Sequence, residues 1–323
     1  MTQNDVREQS VETGASFGTP PPTIKRRKGF FTIRKVFILF ALAPALIHLL
    51  IFWLGVQIES LMMAFENAET GEFWLGNFEY VVQALGDTRE PLGEGFRNTL
   101  IFFAVSICMV PVSIFAVYLI YKKCFGYGVV RILLYLPGAV SGIMMAMLFK
   151  NLVGPNGPLK WFLNDILNLG ITDSFIYSTN YALKTIIVYD IWMGLGGNLI
   201  IWLGAMGRIP PDVIEYGKLD GVGPVKEFFF IIVPLIWPTL CTMLTLHIIG
   251  IFGSSGSVMV FTEGKYGTYT ISYWLYHVVY SDASSSVMQN YAVAAGLFFT
   301  VLTVPLVVVG RWFMNKFGDA VEY

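Results

Sequence analysis

Long, nearly uncharged apolar runs constrain this chain more than any other feature of its sequence. A helix needs about 20 predominantly apolar residues to cross the hydrocarbon core of a bilayer. Six such stretches are present, at residues 36–58, 98–121, 130–149, 182–203, 228–252 and 290–310. Charged residues make up 13% of the 323 residues, against about a quarter in soluble domains. The pattern predicts an all-α membrane protein with six transmembrane helices and argues against a soluble enzyme.

Lysine and arginine residues orient these predicted spans, because the cytoplasmic loops of membrane proteins carry an excess of positive charge. Fifteen of the 21 basic residues precede the first span, follow the last, or lie in or at the edge of the connections between spans two and three and spans four and five. Both termini are therefore predicted to be cytoplasmic. We expect residues 1–35 to form a disordered basic N-terminus, residues 36–318 a transmembrane domain and residues 319–323 a C-terminal tail.

Charge and cysteine content argue against several other classes of function. The net charge is −1, so the chain has no global basic field that would attract nucleic acid. The basic run from Lys25 to Lys28 lies before the first span, where we expect it to contact the anionic headgroups of membrane lipid. Cys108, Cys124 and Cys241 are far apart, and this spacing indicates neither a disulfide framework nor a metal site.

The connection between spans four and five, residues 206–227, holds the most informative local pattern. It is too long for a simple turn, and its composition is not that of a disordered segment. Pro211 suits the first turn of a helix, which Asp220-Gly221 should end because glycine readily adopts the left-handed conformation. Pro224 then suits the start of a second helix that runs into span five. We predict a rigid pair of helices joined by a glycine elbow.

This loop resembles the signature of the membrane subunits of binding-protein-dependent ABC importers of the carbohydrate class. The family pattern is Glu-Ala-Ala, three residues, Gly, nine residues, Ile, one residue and Leu-Pro. The matching positions are Glu215, Tyr216, Gly217, Gly221, Ile231, Val233 and Pro234. The spacing agrees throughout, whereas the residues at positions 216, 217 and 233 depart from the family pattern. Residues 98–100 and 262–268 also resemble the family, the latter stretch being similar to the maltose F-like subunit type.

The resemblance implies a type I ABC importer permease fold and a set of partners. The chain would form half of the translocation pathway for a sugar or oligosaccharide, in a heterodimer with a second, G-like permease subunit. Two ABC ATPase subunits would bind ATP and Mg²⁺, and an extracellular solute-binding protein would deliver the sugar. The chain itself would bind no cofactor, catalyse no reaction and lie in the bacterial cytoplasmic membrane. Another polar cargo, such as glycerol phosphate, remains an alternative.

The resemblance also implies which residues couple the chain to an ATPase. The loop would dock into a cleft of the ATPase, with Glu215 as the polar contact, Gly217 permitting close approach and Gly221 forming the elbow. The positions assigned to ATPase coupling are Pro211, Glu215, Tyr216, Gly217, Asp220 and Gly221. The alternative for Glu215 is a solvated charge on the surface of a helix.

Asp190 is a carboxylate inside the fourth predicted span, where a charge costs about 2.5–3.5 kcal/mol on insertion scales. Such groups usually face a cavity or a polar partner. Asn198 follows eight residues later and can share the face of Asp190. We expect both residues to border the substrate pathway and to bond sugar hydroxyls. The alternative is a structural hydrogen bond from Asp190 to a neighbouring group, such as Tyr189 or Thr242.

Two other classes of membrane protein match the sequence less well. Residues 253–256, Gly-Ser-Ser-Gly, fit the Gly-x-Ser-Gly pattern of rhomboid proteases, which also have six spans. The last predicted span, however, contains no histidine that could act as the base. A secondary transporter or channel should show inverted repeats, and we find none in the sequence. Neither class accounts for the pattern in residues 206–227.

Overall fold

The computed structural model of the chain describes residues 33–168, 170–253, 256–281 and 285–318. Within these ranges the ordered elements are helices, and extended residues pair only at an antiparallel bridge between Glu66 and Phe73. Most of the predicted basic N-terminus and all of the predicted tail lie outside the described residues. The chain divides into two compact units, Met1–Val56 and Gln57–Tyr323, and the packing described below lies within the second unit.

The described part of the chain contains sixteen α-helices and three π-helical segments, which are joined by turns and loops. The α-helices are α1 (Ile33–His48), α2 (Val56–Ala64), α3 (Gly76–Gly86), α4 (Pro91–Tyr121), α5 (Tyr127–Ala139), α6 (Gly142–Val153), α7 (Pro158–Trp161), α8 (Ala182–Gly197), α9 (Leu199–Met206), α10 (Pro211–Leu219), α11 (Pro224–Glu227), α12 (Val233–Leu235), α13 (Trp237–Ile249), α14 (Gly256–Phe261), α15 (Ile271–Tyr280) and α16 (Ser286–Gly318). The π-helical segments are Leu49–Gly55, Phe162–Ile166 and Phe228–Ile232.

Four helical segments are long and apolar enough to cross a membrane, and two bent pairs of helices qualify when each pair is taken as one span. The four segments are Phe37–Ala64, Pro91–Tyr121, Ala182–Met206 and Ser286–Lys316. The bent pairs occupy the positions of the third and fifth predicted spans. The segments Pro91–Tyr121 and Ser286–Lys316 begin before the corresponding predicted spans, 98–121 and 290–310, because each helix continues beyond its most apolar stretch.

Both bends lie beside prolines. In the third span the pair of helices is bent by 112°, at an extended backbone around Val140 (φ −101°, ψ 151°), three residues after Pro137. In the fifth span the pair of helices is bent by 74°, between Pro234 and Pro238. Pro238 has no N–H to bond the carbonyl of Pro234, so the regular helical pattern is interrupted there. Prolines also lie inside the unbroken helices α1, α4 and α16, so a proline alone does not predict a bend.

Three clusters of buried side chains hold the second unit together. The largest, which we call the loop cluster, joins the second half of α4 to α9, α10 and the bent fifth span. Its buried members include Val110, Ile114, Tyr118, Trp202, Met206, Ile214, Phe228, Ile232, Ile236, Leu240 and Met243. A second cluster packs α3 and α15 against α16, and a third packs α6 and α14 against α8.

A glycine brings α8 directly against α5. Gly196 is buried, and a Cβ atom added to it would collide with the backbone carbonyl of Leu134. Small residues allow helices in membranes to approach this closely. Gly197, the next residue, is exposed and has open space where its Cβ would lie. Of these two adjacent glycines in the fourth span, the packing therefore requires Gly196.

We expect Gly196→Ala to destabilise the fold by about 3 kcal/mol, at the upper end for overpacking, because the obstructing atom is backbone and cannot rotate away. Thermal unfolding of the protein in detergent measures the effect. Gly197→Ala is the matched control and should unfold at or slightly above the wild-type temperature, since alanine is the better helix former. Equal unfolding temperatures for the two variants would contradict the close contact.

Candidate functional site

The first helix predicted in the 206–227 loop is present as α10, and it ends at the glycine that the sequence indicates. Gly221 adopts φ +72°, a left-handed conformation that glycine adopts without steric cost. The Val222 N–H donates to the Gly217 carbonyl at 2.9 Å, and the Gly221 N–H donates to the Lys218 carbonyl at 3.1 Å. These two hydrogen bonds form a Schellman motif, which fixes the direction of the chain after the helix.

One face of α10 packs inside the chain, against the beginning of the fifth span. Ile214 and Gly217, three residues apart, are buried on this face. A Cβ atom added to Gly217 would lie 2.8 Å from Cδ1 of Ile231. The close approach that Gly217 permits is therefore to a helix of the same chain, and Gly217 itself lies on the inner face of α10.

The opposite face of α10 is exposed and combines apolar and charged side chains. Glu215 and Tyr216 are adjacent on it, and the exposed fractions of Tyr216 and Leu219 are 67% and 82%. Pro211 and Asp220, at the two ends of the helix, are exposed as well. Glu215 forms no ion pair with the described parts of the chain. Large apolar side chains exposed together beside a charge are typical of surfaces that contact another protein.

The second helix of the loop, α11, begins at Pro224 as the sequence predicts, and polar contacts fasten it to the end of α4. Lys122 Nζ donates to both carboxylate oxygens of Glu227, at 2.7 and 2.9 Å. The Tyr118 hydroxyl donates to the Pro224 carbonyl at 3.1 Å. Neither Lys122 nor Glu227 stands out in the sequence as a functional residue. The available signal was a pair of opposite charges in two connections assigned to the same side of the membrane.

A cavity of about 390 Å³ lies between α4, α8, α9 and α13. Both residues predicted to border a substrate pathway, Asp190 and Asn198, line it, so the structure brings them together. The other residues with polar side-chain atoms in its wall are Ser106, Ser113, Trp202 and His247. The volume falls within the range of about 300–1,000 Å³ that is usual for ligand pockets.

Asp190 also has a structural partner, and it is neither of the two that we considered from the sequence. Its Oδ2 atom accepts a hydrogen bond of 3.0 Å from the hydroxyl of Ser257 in α14. The structural hydrogen bond that we gave as the alternative is therefore present with a different partner, because the hydroxyls of Tyr189 and Thr242 each donate to a backbone carbonyl instead. Sequence spacing gave no signal for Ser257, which lies 67 residues from Asp190.

Trp202 contributes a buried donor without an acceptor to the wall of this cavity. The residue is 1% exposed, and its indole Nε1 has no hydrogen-bond partner among the described residues. The indole of Trp237, by comparison, donates to the Met314 carbonyl at 3.2 Å. A buried polar group without a partner costs about 1–3 kcal/mol. Because the Nε1 atom is itself buried, an oxygen atom of a ligand in the cavity would relieve this cost only if the side chains around the indole moved apart.

The two stretches that resemble the family outside the loop, residues 98–100 and 262–268, meet in the structure. Asn98 Nδ2 donates to the carbonyls of Gly267 and Tyr269 at 3.0 and 2.9 Å. The contact joins residues 169 and 171 positions apart in the sequence. It fixes the beginning of α4, whose later turns line the cavity.

The protease-like pattern at residues 253–256 cannot be located, because Ser254 and Ser255 lie outside the described residues. In the described part of the chain, no three His, Cys, Asp or Glu residues come together as they would to hold a metal ion. The groups that the structure does bring together are the hydrogen-bonding residues of the cavity and the exposed face of α10.

Several curated proteins are similar to this chain over most of its length. The lactose transport system permease protein LacF of Rhizobium radiobacter is 26% identical, covering 74% of this chain and 81% of its own. The probable ABC transporter permease protein YesP of Bacillus subtilis is 24% identical, covering 83% of this chain and 85% of its own. The sn-glycerol-3-phosphate transport system permease protein UgpA of Yersinia pseudotuberculosis is 25% identical, covering 68% and 74%.

Two solved structures share the fold. One is a bacterial ABC transporter involved in the import of the acidic polysaccharide alginate, with a TM-score of 0.75 and 22% identity over 88% of this chain and 97% of that chain. The other is the alginate transporter in complex with an alginate pentasaccharide-bound periplasmic protein, with a TM-score of 0.74 and 23% identity over 89% and 97%. The all-α permease fold predicted from the sequence is confirmed.

A family profile gives the assignment. The profile described as binding-protein-dependent transport system inner membrane component matches residues 109–322, which is most of the chain. The matched region contains α10 with its glycine elbow and, apart from the first turns of its α4 wall, the cavity with Asp190, Asn198 and Trp202. With several apolar helices of membrane-crossing length, the chain is a multi-pass membrane protein that belongs to the family of binding-protein-dependent transport system inner membrane components.

Proposed function

We propose that the chain is the permease subunit of an ATP-driven importer that carries a sugar or oligosaccharide across the bacterial cell membrane. It would form half of the translocation pathway, with a second permease subunit of the G-like type forming the other half. Two separate ATPase subunits would bind ATP and Mg²⁺ and hydrolyse the nucleotide, and an extracellular solute-binding protein would deliver the cargo. Both termini and the 206–227 loop would face the cytoplasm.

The observation that carries this proposal is a single cluster of packed side chains that connects α10 to the wall of the cavity. Val110 and Trp202 line the cavity and also belong to the loop cluster, which includes Ile214 of α10. Protein interiors are close-packed and barely compressible, so a displacement at one end of such a cluster moves the other. An ATPase that moved α10 would therefore change the shape of the cavity.

The exposed face of α10 has the chemistry required for ATPase docking. We propose that Glu215 pairs with a basic group in a cleft of the ATPase, and that Tyr216 and Leu219 pack on the apolar wall of that cleft. The family has alanine where Tyr216 stands, so the cleft of the cognate ATPase must be wide enough for an aromatic ring. Gly221 holds this face in a fixed direction through its left-handed turn.

The cavity favours a neutral polyhydroxylated cargo over an anion. Among its described wall residues, Asp190 and His247 are ionisable, and no Lys or Arg is present. A carboxylate repels an anion more strongly in a low-dielectric wall than in water. It also accepts hydrogen bonds from hydroxyl groups, and the Trp202 indole can donate one. Relatives named for lactose and for sn-glycerol-3-phosphate show both kinds of cargo, and these residues favour the uncharged kind in this chain.

We predict that Glu215→Lys strongly reduces ATP-dependent uptake while the transporter still inserts and assembles. Charge reversal would remove one partner of a desolvated ion pair, worth about 2 kcal/mol or more, which corresponds to a loss of about 30-fold. The assay is uptake of labelled neutral oligosaccharides into proteoliposomes containing both permease subunits, the ATPases and the binding protein. Lys226→Glu, an exposed charge reversal on α11, is the control and should transport normally. Normal uptake by Glu215→Lys would refute the docking role.

Gly221→Pro should uncouple α10 from the rest of the loop. Proline cannot adopt φ +72°, and it lacks the N–H that bonds the Lys218 carbonyl, so the turn loses about 3 kcal/mol or more. We expect the assembled transporter to lose the stimulation of ATP hydrolysis by loaded binding protein. Gly223→Ala, at a glycine with φ −72° and open space around it, should keep that stimulation. Wild-type stimulation in Gly221→Pro would count against the elbow.

Trp202→Phe should weaken the binding of cargo in the cavity while keeping the aromatic ring that packs in the loop cluster. Loss of one neutral hydrogen bond of about 1 kcal/mol corresponds to a rise of about fivefold in the Km for sugar uptake. Trp237→Phe removes an indole that bonds a backbone carbonyl outside this cavity, and it should lower the unfolding temperature without changing Km. An unchanged Km in Trp202→Phe would show that no cargo oxygen meets this indole.

A further inference from the structure

We propose that Lys122 and Glu227 are a positioning pair that transmits movement of the 206–227 loop to α4, the helix that supplies one wall of the cavity. The inference rests on the proposed function, because an ATPase must move the loop. The pair lies outside the exposed face of α10 and outside the cavity, so it would contact neither the ATPase nor the cargo. Its role would be to connect the two.

The contacts around the pair hold α11 and the end of α4 in a fixed relative position. Lys122 Nζ contacts both carboxylate oxygens of Glu227, and the side chains are 21% and 5% exposed. The Tyr118 hydroxyl bonds the Pro224 carbonyl one turn earlier on each helix, and the Tyr118 ring packs on the Phe228 ring with centroids 5.2 Å apart. Two polar contacts and an aromatic contact therefore hold α11 against the end of α4.

Stability alone is a weak reason for placing this pair at a buried junction. The cost of removing two charges from water often exceeds their mutual attraction, and well-packed apolar residues can stabilise such a position equally well. Unlike an apolar contact, the ion pair fixes the relative orientation of its two side chains, because both carboxylate oxygens of Glu227 are aligned on the ammonium group of Lys122. The other ion pair in the described part, Lys265 with Glu263, is exposed and local, and pairs of that kind contribute little.

The position of the pair on α4 explains what it would move. Lys122 caps α4, and the cavity-lining residues Ser113 and Ser106 lie on the same helix nine and 16 residues earlier. At 1.5 Å per residue the joint is about 14 to 24 Å from these residues. Pro111 lies between Ser113 and Ser106 and removes one backbone hydrogen bond, so α4 can bend there. A lateral displacement of Lys122 would tilt the part of the cavity wall that lies between Pro111 and Lys122 and includes Ser113.

The test is the coupling ratio, meaning the number of cargo molecules taken up per ATP hydrolysed, in proteoliposomes containing the complete transporter. We expect Glu227→Gln and Lys122→Met to assemble, to hydrolyse ATP and to lower this ratio about tenfold, a factor typical of coupling between sites. The charge exchange, Lys122→Glu combined with Glu227→Lys, should restore a large part of the ratio. Lys123→Met, a neutralised exposed lysine next to the pair, is the control and should keep the wild-type ratio.

Several outcomes would overturn the inference. A wild-type ratio in both single variants would do so, as would an exchange variant that stays as low as the single variants. If the single variants do not assemble, the apolar double variant Lys122→Met with Glu227→Leu removes both charges together and decides the question. A low ratio in that variant supports the pair, and a wild-type ratio overturns it. Absence of ATP-dependent uptake in the wild type would overturn the proposed function, and this inference with it.

Discussion

The contact between α10 and the beginning of the fifth span is the interaction on which the rest of the loop depends. A helix of nine residues is too short to be stable in water on its own, because nucleation costs more than so few hydrogen bonds return. Its order must come from packing, and the buried Ile214 and Gly217 provide that packing. Because Gly217 has no side chain, α10 lies close enough to Ile231 for its opposite face to point away from the chain. Without this contact Glu215 and Tyr216 would have no fixed direction.

The sequence predicted those parts of the fold that local chemistry determines. Uncharged apolar runs located the spans, and Pro211, Gly221 and Pro224 located the two helices of the loop, because proline and glycine restrict the backbone where they stand. The two bends could not be predicted in the same way. Prolines lie at both bends and also inside three unbroken helices, so the packing around each proline decides whether the helix breaks.

The candidate site was predictable only in part, for a related reason. The position of Asp190 and Asn198 in one span made a shared face foreseeable, since a helix repeats at a known angle. The partners that complete the site are distant in sequence: Ser257 lies 67 residues from Asp190, and Glu227 lies 105 residues from Lys122. The missing acceptor of Trp202 became visible only when its surroundings were known. An unpaired indole and a carboxylate inside a membrane span both lower the stability of the folded protein. Destabilising groups of this kind are typical of sites that bind polar ligands.

The bent fifth span bears on how movement of the loop would reach the cavity. Along the chain, the route from α11 to α13 passes the 74° bend between Pro234 and Pro238, where the missing N–H of proline weakens the helix. A helix interrupted in this way transmits force poorly along its axis. The lateral route, from α11 through the loop cluster and the Lys122 contact to α4, crosses packed side chains and an ion pair instead. In the proposed transport cycle α4 would therefore be held to the loop by packing and by the ion pair, whereas α13, beyond the bend, would be held by the packing of Leu240 and Met243 in the loop cluster. The two walls of the cavity are thus held to the loop by different contacts, and unequal movement of the walls is the condition for the cavity to open on one side as it closes on the other.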